Sequence, residues 1–136
     1  MCAYNIYMKK ILVVDDDPDI LDAIKFVLED AGYIVYTSQK GEYAEELPKH
    51  DTLPHLVILD VLLSGKDGRE ICHKLKSDEK TKNLPVIMIS AHPSVQQSIM
   101  EVGANAFIPK PFDISVLLKK VDEHIYSSWQ MQLTCI

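Results

Sequence analysis

Short apolar runs alternate along the chain with segments whose apolar residues recur at helical spacing. The runs predict five strands, at 10–14 (KILVV), 33–37 (YIVYT), 55–59 (HLVIL), 85–90 (PVIMIS) and 106–109 (AFIP). Apolar stripes predict a helix after each strand, within 20–31, 41–47, 71–75, 95–102 and 114–125. Gly32 and Gly103 are typical of helix ends, and they close the first and fourth of these helices.

The predicted strands are apolar throughout instead of alternating between apolar and polar residues. Such strands are typical of a parallel sheet that is covered by helices on both faces. We therefore predict the α/β class, with a doubly wound five-stranded parallel sheet. Sites in these sheets form at the carboxyl ends of the strands, near the topological switch point. The chemically active residues at those ends are Asp15, Asp16, Asp17, Asp60, Ser90 and Lys110.

Composition narrows the class of protein and of partner. The 136 residues suit a single domain, and the net charge of −6 argues against nucleic acid or an anionic membrane as a direct partner. The apolar runs are too short to span a bilayer, and we find no secretion signal in the sequence. Three cysteines without metal-ligand spacing favour a reducing compartment, so we predict a cytoplasmic location.

Consecutive aspartates follow the first predicted strand. Asp17 precedes Pro18, which is the arrangement of a helix N-cap with proline at the first helical position. Asp15 and Asp16 are solvated loop residues on one interpretation, but Asp60 ends a second apolar run. Carboxylates that converge on one sheet edge repel one another unless a cation lies among them. The sequence therefore predicts a site for a hard divalent cation, such as Mg²⁺, which also accepts phosphate oxygens.

Ser90 and Lys110 lie at the ends of the last two predicted strands. Lys110 stands between two prolines, which stiffen the backbone around it. A fixed lysine beside carboxylates and a metal can neutralise charge on a transferring phosphoryl group, and Ser90 can donate to the same oxygens. An exposed lysine and a turn serine are the alternatives. The sequence contains neither a Gly-rich P-loop nor a G-x-S-x-G elbow, and its histidines lack metal-site spacing.

Together, these motifs resemble the receiver domain of bacterial two-component response regulators. The segments KILVVDDDPDI, LVILDVLLSGKDG, MISA and GANAFIPKPF follow the order and spacing of that family. The resemblance covers about residues 9–126, and it implies a flavodoxin-like (βα)5 fold. It also implies transfer of a phosphoryl group from a kinase histidine to an aspartate.

The resemblance implies catalytic and metal-binding roles for individual residues. Asp60 matches the phosphoacceptor, and Lys110 matches the family's catalytic lysine. Asp15 and Asp16 match the acidic pair that holds Mg²⁺, with Mn²⁺ as an alternative ion and Asp16 as the direct ligand. Asp60 itself and the backbone carbonyl of Leu62 complete the implied metal ligands.

A second set of matches concerns the conformational switch. Ser90 matches the switch hydroxyl, Phe107 matches the aromatic switch position, and Lys110–Pro111 matches a cis peptide. The chain also departs from the family's pattern. Phe107 replaces the commoner tyrosine, and Ser64 stands where the family usually has proline.

The first functional hypothesis is a phosphorylation-dependent signalling switch. Its phosphoryl group is expected to come from a histidine kinase or a histidine phosphotransfer protein. We expect it to act through an unidentified protein partner or a phosphorelay, as a monomer or weak dimer. No enzymatic activity is expected beyond its own phosphorylation and slow dephosphorylation. Leu62 and His92 flank the implied route of the attacking water, and the slow step is expected because the apolar Leu62 excludes that water, whereas His92 is the polar residue that acts against this expectation.

The sequence also permits other functions. The chain could be a receiver from a larger response regulator or hybrid kinase, or a pseudo-receiver that acts without phosphorylation. A Mg²⁺-dependent phosphohydrolase with Asp60 as nucleophile is a further alternative. Leu62 argues against it, because a hydrolase needs a general acid or base at that position.

The resemblance also divides the chain into segments. Residues 1–8 are expected to be a leader or an added extension, and 9–126 the receiver domain. Residues 127–136 are expected to be a tail or an extension of the last helix, whose stripe continues at Trp129 and Leu133. The sequence carries no output domain after the receiver, so we expect a stand-alone receiver.

Overall fold

A parallel β-sheet forms the centre of the computed structural model, which describes residues 8–126. Its strands are β1 (Lys10–Val14), β2 (Ile34–Ser38), β3 (Leu56–Asp60), β6 (Val86–Ser90) and β7 (Ala106–Pro109). They lie in the order β2-β1-β3-β6-β7, so the topological switch point falls between β1 and β3. The predicted doubly wound five-stranded sheet is confirmed.

Helices cover both faces of this sheet. They are α1 (Pro18–Asp30), α2 (Gly41–Glu45), α3 (Gly68–Ser77), α4 (Gln96–Glu101) and α5 (Ile114–Ile125). Buried residues of α1 and α5, such as Leu28 and Val121, pack with Ile11 and Ile58 on one face. The α2, α3 and α4 residues pack with the alternate strand residues on the other face. The inner strands β1, β3 and β6 are almost wholly apolar because both of their faces are buried, whereas the edge strand β2 carries the exposed Tyr36.

Several boundaries differ from the sequence predictions. β3 extends to Asp60 because its ladder with β6 continues to the pair Asp60–Ile89. A short antiparallel hairpin, β4 (Leu62–Leu63) and β5 (Lys66–Asp67), occupies a segment for which no strand or helix was predicted. Its turn contains Gly65 with φ 75, a left-handed conformation that glycine adopts without steric cost.

The described part of the chain ends with helix α5. Helix α5 ends at Ile125 with Tyr126 as its C-cap. The predictions for residues 1–7 and 127–136 lie outside the described residues, and the domain boundaries stay predictions. Between residues 8 and 126, no helix is long and apolar enough to cross a bilayer.

His55 links the start of β3 to β1 and gives the fold a pH dependence. Its Nδ1 accepts a hydrogen bond of 2.9 Å from the backbone N–H of Lys10, which requires an unprotonated nitrogen. Burial, with the charges of Lys9 and Lys10, lowers the pKa of His55. Below the ordinary pKa of histidine, His55 binds a proton in the unfolded chain but stays unprotonated in the folded protein. Acid therefore favours unfolding.

We therefore expect His55→Gln to reduce the loss of unfolding free energy between pH 7.5 and pH 5.5. The measurement is urea unfolding at both pH values, with His73→Gln on the exposed side of α3 as the matched control. An equal pH dependence in wild type and His55→Gln would contradict the assignment.

Candidate functional site

Three carboxylates meet at the carboxyl end of the sheet. Asp15 and Asp16 follow β1, and Asp60 is the last residue of the neighbouring strand β3. One carboxylate oxygen from each lies within 4.8 Å of the others. The topology therefore brings together the three aspartates that the sequence singled out as metal ligands.

Lys110 bridges two of these carboxylates. Its Nζ lies 2.9 Å from Oδ2 of the fully buried Asp15 and 3.3 Å from Oδ2 of Asp60. Burial alone would lower the pKa of Lys110, but its bonds to Asp15 and Asp60 outweigh burial and raise it. The lysine is thus held as a cation between the carboxylates, and it is not the exposed lysine of the alternative interpretation.

Asp60 is the carboxylate with the most perturbed acidity. Burial, followed by the charge of Asp15, raises the pKa of Asp60 to about 6. Lys110 and the backbone N–H of Leu62 act in the opposite direction but do not cancel the effect. One lysine therefore leaves the three carboxylates with an excess of negative charge, which a divalent cation would offset.

Asp16 and Asp17, which follow Asp15 in the sequence, make different contacts. Asp16 is half-buried, and its Oδ2 accepts a 3.0 Å hydrogen bond from the Ser64 hydroxyl at the hairpin turn. Asp17 caps α1 by accepting a 2.9 Å bond from the backbone N–H of Asp19. The predicted N-cap is confirmed, and Asp17 is not among the three clustered carboxylates.

Ser90 lies at the same edge of the sheet, at the end of β6. It is buried, and its Oγ accepts a 3.0 Å hydrogen bond from the backbone N–H of His92. The backbone N–H of Lys110 donates to the Ser90 carbonyl at 2.8 Å. Ser90 is therefore both a turn residue and a neighbour of the site, and the bond to His92 leaves its hydroxyl proton available for donation.

Phe107 is placed behind the site on β7. It pairs with Met88 of β6 and packs, half-buried, against the core cluster on the α2–α4 face. The peptide bond between Lys110 and Pro111 is cis, as the resemblance implied. Phe107 thus connects the end of β7 to the face that carries α4.

Leu62 contributes a backbone group and an exposed side chain. Its backbone N–H lowers the pKa of Asp60, and 54% of the residue's surface is exposed. The role of its carbonyl as a metal ligand stays a prediction.

Gly68 is a site residue that sequence reasoning missed. A Cβ at this position would lie 2.1 Å from the backbone oxygen of Asp60, and the Gly68 N–H donates to the Val61 carbonyl at 2.7 Å. Asp67 precedes it as the N-cap of α3. The Asp-Gly pair was a turn signal, but the close approach to Asp60 is a tertiary contact and has no local sequence signature.

We expect Gly68→Ala to cost about 1–3 kcal/mol of unfolding free energy, because backbone atoms must move to admit the methyl group. It should also impair the phosphorylation that the resemblance implies for Asp60, since the atom that must move belongs to that residue. Gly32→Ala is the control: its φ of 102 makes it strained, but open space surrounds it, far from Asp60. Equal phosphorylation by the two folded variants would refute the role of Gly68 at the site.

Comparisons with known proteins bear on the whole of this region. A family model described as "Response regulator receiver domain" matches residues 11–122, which include the acidic cluster, Ser90 and Lys110. Among curated proteins, the chain is 37% identical over 116 residues to the DNA-binding dual master transcriptional regulator RpaA of Synechocystis. That match covers 84% of this chain and 48% of RpaA, so the chain spans about half the length of this relative.

Solved structures give the same relationship at the level of the fold. A structure described as a response regulator from Chloroflexus aurantiacus is 34% identical, with a TM-score of 0.81 over 88% of this chain and 98% of its own. The receiver domain of a histidine kinase from Syntrophus aciditrophicus is 29% identical, with a TM-score of 0.82 over 94% and 98%. These similar domains come from proteins of different kinds, so the similarity concerns the domain and not the whole proteins.

Proposed function

Because the chain belongs to the response regulator receiver domain family, we propose that Asp60 accepts a phosphoryl group from a phosphohistidine in the presence of a divalent cation. The family consists of phosphorylation-dependent signalling modules, and this chain is one of them. The observation that carries the choice of Asp60 is the bridge from Lys110 to Asp15 and Asp60, at 2.9 and 3.3 Å. It places a fixed positive charge beside a carboxylate at the switch point of the sheet.

The donor set fits a hard divalent cation. All three clustered side chains offer carboxylate oxygens, and these lie within 4.8 Å of one another. We propose Mg²⁺, with Mn²⁺ as a substitute, held by Asp15, Asp16 and Asp60, with the Leu62 carbonyl as a further oxygen ligand. When bound, the cation neutralises negative charge on the phosphoryl oxygens.

The chain's own residues supply the rest of the transfer. A carboxylate oxygen of Asp60 forms the new O–P bond as the P–N bond to the donor histidine breaks. The bonding electron pair returns to the imidazole nitrogen of the donor. Lys110 offsets charge on the phosphoryl group during the transfer. Because the pKa of Asp60 is about 6, this carboxylate is mostly ionised at pH 7.5 and can act as the nucleophile.

Phosphorylation changes the contacts at the end of β6. The aspartyl phosphate adds about two negative charges and strong acceptor oxygens. The Ser90 hydroxyl proton can then be donated to the phosphoryl group, which draws Ser90 away from its bond with His92. We propose that this movement repacks Phe107 and the α4 face, and that the repacked face binds a downstream protein.

We further propose that the protein has no turnover activity beyond its own phosphorylation and slow dephosphorylation. A phosphohydrolase would need an acid or base beside the nucleophile, and the exposed apolar side chain of Leu62 offers neither. A pseudo-receiver would not need the set of Asp15, Asp60 and Lys110 in mutual contact. The phosphoryl donor is proposed to be a histidine kinase or a histidine phosphotransfer protein.

The test is incubation of the purified protein with acetyl phosphate and Mg²⁺, followed by intact-mass measurement. We expect a gain of about 80 Da, the mass of one phosphoryl group, and complete loss of this gain in Asp60→Asn. Asp51→Asn, at an exposed aspartate, is the matched control. Undiminished labelling of Asp60→Asn would exclude Asp60 as the acceptor. A phosphotransfer profile against the kinases of the host would then identify the donor.

A further inference from the structure

We propose that Ser64 is a positioning residue that holds the Asp16 carboxylate in place for the divalent cation. This inference rests on the proposed function, because it concerns the same metal site. The Ser64 Oγ donates to Asp16 Oδ2 at 3.0 Å, across 48 residues of sequence. Ser64 also stands at one of the positions where this chain departs from the family's usual residue.

The carboxylates of the cluster are held to different degrees. Asp15 is fully buried; its Oδ1 accepts from the Asp17 N–H at 2.9 Å, and its Oδ2 pairs with Lys110. Asp60 is also buried, and its Oδ2 is held by Lys110 at 3.3 Å. Asp16 is the most exposed of the three. Asp15 and Asp60 are therefore placed by the fold, whereas the position of Asp16 depends on its bond to Ser64.

Ser64 is itself on an anchored segment. The hairpin that carries it is paired through Leu63 and Lys66, and Leu63 is buried in the core. Lys66 is tied to Glu45 of α2 by an ion pair of 2.7 Å. At the end of the hairpin, the Gly68 N–H bonds to the Val61 carbonyl at 2.7 Å. The hydroxyl therefore has a defined position relative to β1 and β3.

The direction of the effect follows from electrostatics. Without a cation, repulsion from Asp15 and Asp60 favours rotation of the half-buried Asp16 into solvent. The Ser64 bond opposes that rotation, so less conformational freedom is lost when the cation binds. The hydroxyl does not block the cation, because it occupies one lone pair of Oδ2 and leaves Oδ1 available.

The experiment is Mg²⁺ binding to the unphosphorylated protein, measured by isothermal titration calorimetry. Ser64→Ala should raise the Kd about threefold to tenfold, the range expected for one hydrogen bond. Ser64→Thr keeps the hydroxyl and should bind within about twofold of wild type. Ser77→Ala removes a hydroxyl that bonds to the His73 carbonyl on α3, and it should leave the Kd unchanged.

A second readout separates positioning from damage to the fold. In Ser64→Ala, the Mg²⁺ concentration for half-maximal phosphorylation by acetyl phosphate should rise by the same factor, with an unchanged maximal rate. An unchanged or lowered Kd in Ser64→Ala would overturn the inference, and so would a loss in Ser64→Thr as large as in Ser64→Ala. If Asp16→Asn weakens Mg²⁺ binding while Ser64→Ala does not, the metal site stands and the inference about Ser64 fails. If wild type binds no Mg²⁺, both fail.

Discussion

Replacing Asp60 by asparagine should stabilise the protein at pH 8 in the absence of divalent cations. The pKa of Asp60 is raised from 3.8 to about 6, first by burial and then by the charge of Asp15. Between those pH values, the folded protein holds a proton that the unfolded chain has released. Stability therefore falls as the pH rises through this window, and above it the full cost is present. That cost is on the order of 2–3 kcal/mol, which asparagine removes.

The measurement is urea unfolding of wild type and Asp60→Asn in EDTA at pH 5 and pH 8. The gain in unfolding free energy should be larger at pH 8, and the contribution of His55 cancels because both proteins contain it. Asp17→Asn is the control for net charge, since Asp17 is exposed and asparagine is an equally good N-cap. Added Mg²⁺ should stabilise wild type more than Asp60→Asn and so reduce the difference between their unfolding free energies. If Asp60→Asn is less stable than wild type at pH 8, the ionised Asp60 carboxylate does not destabilise the folded protein.

Leu62→Asn should speed the loss of the phosphoryl group by about tenfold or more, because positioning of the attacking water contributes strongly to phosphoryl-transfer catalysis. Leu62 follows Asp60 by two residues and exposes 54% of its surface. An apolar side chain there excludes water and cannot hold it in line with the phosphorus, whereas an amide can. His92, whose backbone N–H bonds to Ser90, is the polar group on the other side of the implied water route.

The rate is measured as the decay of phosphorylated protein in Mg²⁺ after removal of acetyl phosphate. Met100→Asn, at an exposed apolar residue of α4, is the matched control and should decay at the wild-type rate. Decay of wild type within seconds would refute the expected long lifetime. Equal decay of wild type and Leu62→Asn would show that Leu62 does not control access of water.

The sheet and the acidic cluster could be predicted because they follow from short sequence patterns that recur along the chain. A strand buried on both faces must be apolar throughout, and parallel strands place their carboxyl ends at one edge. Asp15 and Asp60, at the ends of such runs, could therefore be assigned to one site from the sequence alone. Asp17 was assigned to a cap by its proline neighbour alone.

The details that escaped prediction depend on contacts between distant segments. The Asp60–Ile89 pair extends β3 by a ladder with another strand, which local propensity does not encode. Residues 62–67 contain apolar, polar and glycine residues in no regular alternation. The sequence therefore gives no periodic signal for the hairpin that they form. The first helix was predicted within 20–31, but α1 ends at Asp30, so Ala31 lies past the helix and is exposed.

The bridge from Lys110 to Asp15 and Asp60 can form only once the chain has been synthesised past β7. Lys110 is 95 residues away from Asp15 along the chain, and it follows the strand at one end of the sheet. A nascent chain that has emerged from the ribosome only as far as β6 already carries every acidic residue of the cluster but no lysine to join them. If Asp60 accepts a phosphoryl group as proposed, we expect molecules in which β7 is missing or undocked to be poor acceptors. On the proposed function, completion of the fold and acceptance of the phosphoryl group would then depend on the same contact between Lys110 and the acidic cluster.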